Sequence, residues 1–201
     1  MKELITAGVD EVGRGCLAGP VVSAAVIFKK GIDLKLLKDS KKISFNKREK
    51  ISEHVKYYSY YSIGIASVNE ILNLNILQAS LLSMKRAIDQ LIVKPGLTLI
   101  DGNFVPKGLK NCKAIINGDE KIKEISAASI IAKVYRDNFM IKLSKKFSNY
   151  AWDTNFGYGT KAHLDGLRKF GVTAHHRKGF KPVHKILSSW DSQTQKDSFF
   201  F

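Results

Sequence analysis

Two short apolar runs near the N-terminus, residues 4–9 and 21–28, constrain the fold more than any other feature of the chain. The first run ends directly in Asp10-Glu11, and Gly13-Arg14-Gly15 follows. Runs of this length bounded by turn residues are typical of buried strands and are too short to cross a bilayer as helices. We therefore predict two strands joined through a glycine-rich turn, with Pro20 at the start of the second strand, where a missing N–H is tolerated.

The rest of the chain alternates between helical and strand patterns. Ser67 and Glu70 have the spacing of a capping box, and Gly171 is a favourable residue just past a helix end. Helices are predicted over 44–58, 67–93, 119–147, 160–170 and from 182 onward, and strands over 58–66, 97–101 and 112–116. This order predicts an α/β fold with helices packed on a mixed sheet. A single domain over residues 1–190 with a polar tail over 191–201 is expected.

Charge is the unusual part of the composition. The chain carries 33 Lys+Arg against 18 Asp+Glu, a net charge of +15, and its pI is near 9.8. Such a balance favours a nucleic acid as the partner. No apolar run is long enough for a membrane span, and Glu3 and Asp10 interrupt any signal-peptide pattern. Cys16 and Cys112 are expected to be reduced core residues, so we expect a cytoplasmic protein without membrane association.

Three acids are predicted to end neighbouring strands. Asp10 and Glu11 follow the first strand, and Asp101 ends the strand over 97–101. In open α/β sheets, ligands bind outside the carboxyl ends of strands. Clustered carboxylates raise one another's pKa unless cations lie between them, and hard oxygen ligands suit Mg²⁺ or Mn²⁺. Two such ions would suit phosphodiester hydrolysis, whereas acids that only cap the following turns are the alternative.

Two further acids are candidates for a fourth carboxylate. Asp119 follows Asn117-Gly118 and has the position of a helix N-cap. Asp137 shares a helical face with Lys133 and Ser129, as an ordinary ion pair would. Spacing alone does not choose between Asp119 and Asp137.

At this point the sequence resembles a known family. The blocks that carry the resemblance are DEVGRGCLAGPV at 10–21, DSKK at 39–42, LIDG at 99–102, GDEKIKEISAASIIAKVYRD at 118–137, GYGTKAH at 157–163 and HRKGF at 176–180. Their identity and order are similar to type 2 ribonuclease H, ribonuclease HII, of the bacterial type. Six blocks in order, spread over nearly the whole chain, make the signal specific.

The resemblance implies a ribonuclease-H-like fold, a central mixed β-sheet flanked by α-helices with a short helical C-terminal part. It also implies an endonuclease that cleaves the RNA strand of RNA–DNA hybrids and incises duplex DNA 5′ of single embedded ribonucleotides. The products would carry 3′-hydroxyl and 5′-phosphate ends, and two Mg²⁺ or Mn²⁺ ions would act in catalysis.

The family pattern makes four residues of this chain catalytic and metal-binding. These are Asp10, Glu11, Asp101 and Asp119. Asp119 matches the aspartate of the glycine–aspartate pair in the bacterial pattern. Asp137 matches an arginine–aspartate pair that some relatives use instead, and it is the second choice.

Substrate binding is implied for the glycine–arginine–glycine turn, for Lys41 and for Tyr158. The backbone of Gly13, Arg14 and Gly15 would approach a ribose 2′-hydroxyl, and Tyr158 would pack against the sugar. Without the family, Tyr158 reads equally well as a core aromatic. Lys41 would bind backbone phosphate, although a solvated loop charge explains it as well. Ser126, Ser129 and Lys133 are supporting candidates.

Three histidines are given no chemistry. His163, His175 and His176 are expected at the surface or beside phosphate.

Rival functions are a nuclease restricted to RNA–DNA hybrids and a non-catalytic basic nucleic-acid-binding protein. The partners expected are RNA–DNA hybrid and ribonucleotide-containing duplex DNA, and a monomer is expected. The short segment before Asp10 and the short segment after Trp190 suggest that extra terminal domains are absent.

Overall fold

A computed structural model describes residues 4–37 and 44–197. Its five strands form one mixed sheet in the order β3-β2-β1-β4-β5. The strands are β1 (Thr6–Val12), β2 (Val21–Phe28), β3 (Ser59–Ala66), β4 (Leu97–Asp101) and β5 (Cys112–Ile115). The predicted α/β fold with a mixed sheet is confirmed, and each predicted strand is present within a few residues of its expected bounds.

Eight α-helices are described in the chain. They are α1 (Phe45–Tyr57), α2 (Val68–Leu74), α3 (Ile76–Asp89), α4 (Gly118–Lys121), α5 (Lys123–Ser144), α6 (Trp152–Asn155), α7 (Lys161–Phe170) and α8 (Lys181–Asp197). The capping box at Ser67 and Glu70 is confirmed. The helix predicted over 67–93 is instead two helices, because Asn75 has a φ of 69° and its side chain caps α3. The helix predicted over 119–147 is likewise interrupted, at Ile122.

Strand β2 is apolar throughout because both faces of the sheet are covered. Ala24 and Val26 pack against α1 and α5, where Ile51 and Ile131 lie. The alternate residues Ala25 and Ile27 pack on the other face with Met84 and Ala87 of α3. A strand buried on both sides has no polar alternation, which explains the continuous apolar run.

The central strand β1 brings the acidic residues to one edge of the sheet. It runs parallel to β4, with Val9 opposite Ile100, and antiparallel to β2. Because parallel strands end at the same edge, Asp10 and Asp101 follow these two residues at neighbouring positions. The sheet topology therefore places the predicted carboxylates together.

The C-terminal helices form a separate small core. Trp152, Leu167 and Val183 from α6, α7 and α8 pack with Leu17 and Met140. This core holds the segment after β1 against α5. Helix α8 continues to Asp197, so the tail predicted from residue 191 begins inside this helix.

Among the described residues, no helix has both the length and the apolar character needed to cross a membrane. Both cysteines are free: Cys16 is buried, as expected, whereas Cys112 is only partly buried.

Candidate active site

Asp10, Glu11 and Asp101 lie at the edge where β1 and β4 end. The Asp10 side chain is buried, and its Oδ1 accepts a hydrogen bond from the Glu11 backbone N–H at 2.7 Å. Asp101 Oδ1 accepts from the Gly118 backbone N–H at 2.6 Å. Glu11 is partly buried and pairs with Arg14 at 3.2 Å. Each carboxylate is therefore anchored locally while sharing one end of the sheet.

Burial and neighbouring negative charge make Asp10 and Glu11 harder to ionise. Burial, followed by the charge of Glu11, raises the pKa of Asp10 well above its ordinary value, and Asp101 adds to this rise. A hydrogen bond with Ser129 acts in the opposite direction. Burial also raises the pKa of Glu11, against the effect of Arg14. A cation among these oxygens would remove the repulsion.

The carboxylates lie at one edge of the sheet, but their side chains do not form a preorganised metal site. Within residues 4–37 and 44–197, no three acidic, histidine or cysteine side chains are already arranged as a metal site. The donor chemistry nevertheless fits a hard divalent cation, because the groups are carboxylates and because the charge of Asp101 adds to the burial that raises the pKa of Asp10 and Glu11.

The two candidates for the fourth acid have different surroundings. Asp119 is the second residue of α4 and follows Gly118, whose N–H binds Asp101. Asp137 is buried, accepts a hydrogen bond from Lys133 at 2.8 Å and has Arg48 at 4.0 Å. Burial raises the pKa of Asp137, and its Oδ2 has no hydrogen-bond partner among the described residues. Asp119 thus follows directly the residue that binds Asp101, whereas Asp137 already pairs with the side chains of Lys133 and Arg48.

The glycine–arginine–glycine turn and Tyr158 meet beside this edge. Gly13 has a φ of 95°, which favours glycine. A β-carbon on Gly15 would lie 3.9 Å from the Tyr158 ring. The Tyr158 side chain is 40% exposed, so it is not a plain core aromatic. The structure therefore brings together two segments that are far apart in the sequence.

The surroundings of Tyr158 hold its ring in place. Lys133 Nζ lies 5.8 Å from the centre of the Tyr158 ring and 4.9 Å from that of Phe156. Burial raises the pKa of Tyr158, and the neighbouring Cys16 adds to this rise. One face of the ring thus packs on the protein while the residue keeps an exposed part.

The expectation of surface or phosphate-side histidines is wrong for His163 and His176. Both are completely buried, and they contact each other through their Nε2 atoms at 3.1 Å. Trp152 Nε1 donates to His163 Nε2 at 3.0 Å, so the His163 proton is on Nδ1 and is donated to the Tyr158 carbonyl at 2.9 Å. Surrounding apolar side chains in the C-terminal core bury this polar network. His175 is only partly buried and packs against Phe147.

Sequence reasoning also missed two arginines behind the turn. Arg136 and Arg177 are buried and donate to main-chain carbonyls of the segment after β1. Both residues belong to blocks that carry the family resemblance, and this membership was the available signal. Lys41, the predicted phosphate ligand, lies outside the described residues.

Comparison with solved structures identifies the class to which this fold and site belong. The crystal structure of ribonuclease H2 from Pyrococcus horikoshii matches with a TM-score of 0.77 and 27% identity, covering 92% of this chain and 98% of that one. A second structure, Bst-RNase HIII in complex with Mn²⁺, matches with a TM-score of 0.70 at 17% identity, covering 92% of this chain and 70% of that one. The architecture is the ribonuclease-H-like α/β fold, a nuclease fold.

The sequence comparisons give the family within this class. The family model for ribonuclease HII matches residues 7–184. Ribonuclease HII from Pelagibacter ubique is 59% identical over 185 residues, covering 91% of this chain and 99% of the relative. The chain therefore belongs to the ribonuclease HII family. It is a hydrolase of the ribonuclease H type, an endoribonuclease that acts on RNA–DNA hybrids.

Proposed function

We propose that this ribonuclease also incises duplex DNA on the 5′ side of a single embedded ribonucleotide by two-metal-ion hydrolysis. The products carry 3′-hydroxyl and 5′-phosphate ends. The observation that supports the chemistry is the cluster at the sheet edge, where the charges of Glu11 and Asp101 raise the pKa of buried Asp10. Such repulsion is explained if cations occupy the site during catalysis.

The metal ligands in this proposal are Asp10, Glu11, Asp101 and Asp119. Asp119 is preferred to Asp137 because it follows the residue that binds Asp101, whereas Asp137 is tied to Lys133. Bound Mg²⁺ or Mn²⁺ would supply an activated water and stabilisation of the leaving 3′-oxygen. The Mn²⁺ in the Bst-RNase HIII structure agrees with this choice of ion.

Recognition of the ribonucleotide is assigned to Gly13, Arg14, Gly15 and Tyr158. Arg14 and Gly15 are exposed whereas Gly13 is buried, and the adjacent ring of Tyr158 offers a flat surface to a sugar. A 2′-hydroxyl both donates and accepts hydrogen bonds, so main-chain N–H and C=O groups suit it. Phosphate binding by Lys41 remains part of the proposal.

The decisive experiment uses duplex DNA that contains one ribonucleotide, incubated with the protein and Mg²⁺. We expect a single cut 5′ of the ribonucleotide and its loss on chelation of the metal. Asp101→Asn should lower kcat by roughly 100-fold or more, since a lost metal ligand removes several kcal/mol of transition-state stabilisation. Asp89→Asn is the matched control, because Asp89 forms an exposed ion pair with Lys85 on α3.

Three results would contradict the proposal in different ways. If the duplex with one ribonucleotide stayed intact while an RNA–DNA hybrid was cut, the protein would be a nuclease restricted to hybrids. Equal rates for Asp101→Asn and Asp89→Asn would remove Asp101 from the catalytic set. Binding without any cleavage and insensitive to chelator would indicate a non-catalytic basic protein.

The proposal also includes a monomeric enzyme in the cytoplasm. Light scattering on the purified chain tests the first part, and a dimer mass would contradict it. Fractionation of cells that express the chain tests the second.

A further inference from the structure

Two buried arginines bind main-chain carbonyls of the segment between β1 and β2, residues 13–20. Arg136 on α5 donates to the carbonyls of Pro20, Ala18 and Phe156 at 2.9, 2.9 and 2.8 Å. Arg177, just before α8, donates to the carbonyls of Gly19, Arg14 and Pro20 at 2.9, 2.9 and 3.2 Å. We call Arg136 and Arg177 the arginine pair. None of these acceptors is a carboxylate.

Burying two cations in this way is unfavourable unless their donors are well satisfied. Arg136 and Arg177 are 0% and 1% exposed. Burial lowers the pKa of Arg177 to about 10, so it stays charged at neutral pH. A planar guanidinium offers five N–H donors in a fixed fork, and this geometry suits several carbonyls at once. The pair therefore fixes the directions of carbonyls in a segment that has no ladder of regular hydrogen bonds.

Arg136 also forms the surface beneath Gly13. A β-carbon placed on Gly13 would lie 2.2 Å from Arg136 Nε, which is an impossible contact. Gly13 thus packs directly on the guanidinium group in addition to needing a φ of 95°. The glycine at the start of the turn is required by the arginine behind it.

Arg177 sets the direction of the next peptide. In a trans peptide, the carbonyl and the following N–H point in opposite directions, and the described chain contains no cis peptide. Arg177 donates to the Arg14 carbonyl, so the Gly15 N–H points away from Arg177. An oriented N–H donor is the kind of group that a ribose oxygen would contact.

We infer that Arg136 and Arg177 are positioning residues that determine selectivity for an isolated ribonucleotide by orienting the main-chain groups of Gly13-Arg14-Gly15. The inference rests on the proposed function, in which this turn reads the 2′-hydroxyl. The arginines act through the turn and do not contact the reacting atoms. Their replacement should alter substrate discrimination more than the chemical step.

The test is Arg177→Lys, which keeps the positive charge but lacks the planar guanidinium group that donates to several carbonyls. Initial rates are measured on two substrates with the same preparation: duplex DNA with one ribonucleotide, and a continuous RNA–DNA hybrid. We expect kcat/KM on the single ribonucleotide to fall about 10-fold more than on the hybrid, a difference of about 1.4 kcal/mol. A hybrid offers 2′-hydroxyls in many registers, so a loosened turn loses less there.

The ratio of the two rates cancels the fraction of folded protein, so a partly unfolded variant still answers the question. Arg136→Lys is the second variant and should shift the ratio in the same direction. Arg86→Lys is the matched control, since Arg86 also donates to a main-chain carbonyl, that of Ile65, and lies on α3 with Glu70 as its partner. It should leave the ratio unchanged.

Equal losses on both substrates would show a merely structural role and would overturn the inference. Unchanged rates on both substrates in the two lysine variants would overturn it as well. In either case, cleavage at single ribonucleotides by the unmodified chain would still support the proposed function. If the unmodified chain left single ribonucleotides uncut, the proposed function would fail together with the inference.

Discussion

Asp10 shows how a residue of the proposed active site can oppose the stability of the fold that holds it. Its side chain is buried at the end of β1, and Glu11 and Asp101 lie close enough to raise its pKa. An acid whose pKa is higher in the folded state than in the unfolded state destabilises the folded state at any pH above the unfolded value. Without a cation, the cluster of acids at this edge therefore destabilises the folded state.

Replacement of Asp10 by Asn should stabilise the protein in the absence of divalent ions. Asn keeps an oxygen for the Glu11 N–H and removes the charge, so the free energy of unfolding near neutral pH should rise by on the order of 1 kcal/mol. Thermal unfolding in chelator should show a Tm about 2–4 °C higher than for the unmodified chain. Activity should be lost in the same variant.

Two comparisons make this prediction specific. Added Mg²⁺ should raise the Tm of the unmodified chain more than that of Asp10→Asn. Asp89→Asn, at the exposed end of α3, should show no gain in chelator. A lower Tm for Asp10→Asn than for the unmodified chain would contradict the account of repulsion.

At the scale of elements, a buried polar network joins the C-terminal helices. Trp152 on α6 donates to His163 on α7, and His163 contacts His176 in the segment before α8. The Thr173 N–H donates to His176 Nδ1 at 3.0 Å, so the His176 proton lies on Nε2 and points to His163. With both imidazoles neutral, every ring nitrogen has a partner, and His163 Nε2 is the shared acceptor of the Trp152 and His176 N–H groups. The network also fixes the Tyr158 carbonyl, which links the helices to the proposed substrate surface.

This network should make stability depend on pH. Burial, with His163 and His175 adjacent, lowers the pKa of His176 to about 3, below the value of about 6.5 for an unfolded histidine. The unfolded chain then binds more protons between these values, so the stabilisation is complete above about pH 6.5 and is lost as the pH falls. By about pH 5 His176 alone should remove about 2 kcal/mol of unfolding free energy.

Urea unfolding of the unmodified chain and of His176→Gln at neutral pH and near pH 5 measures this dependence. The variant should be less stable at neutral pH, and its stability should fall less on acidification. His184→Gln, on the exposed side of α8, is the control and should keep the original slope. Parallel slopes for His176→Gln and the unmodified chain would exclude His176 as the source.

At the scale of the whole molecule, the net charge of +15 governs how substrate is approached. Lysines and arginines exceed acids by 15 across the chain, while the acids discussed above are gathered at one edge of the sheet. The net positive charge attracts the phosphate backbone of a nucleic acid, and the local cluster of carboxylates attracts metal cations to the proposed active site.

Binding of an RNA–DNA hybrid should therefore weaken steeply with salt. Each neutralised phosphate releases counterions, so several contacts predict at least a 10-fold loss of affinity between about 50 and 200 mM salt. Fluorescence anisotropy with Ca²⁺, under conditions without turnover, measures the dissociation constant. Duplex DNA without ribonucleotides should give a similar slope, because phosphate contacts are independent of the sugar. A flat dependence would contradict an electrostatic approach.

The strands and the location of the acids follow from local sequence patterns. The uninterrupted apolar character of residues 21–28 predicts a buried strand, and the structure has β2 over these residues. Acids directly after apolar runs predict carboxylates at strand ends, and a parallel pair of strands then brings them to one edge. The helix break at Asn75 was missed, because an asparagine with positive φ leaves no signal in apolar periodicity.

The sequence by itself determined the strands, most helix bounds, the basic charge and the acids that end β1 and β4, since these depend on neighbours along the chain. Only the tertiary structure decided that His163 and His176 are buried and that Arg177 orients the carbonyl of Arg14. The physical reason is separation along the chain. Arg177 and Arg14 are 163 positions apart, and His163 finds its partners Trp152 and His176 at separations of 11 and 13 on other elements, so no local pattern encodes these contacts.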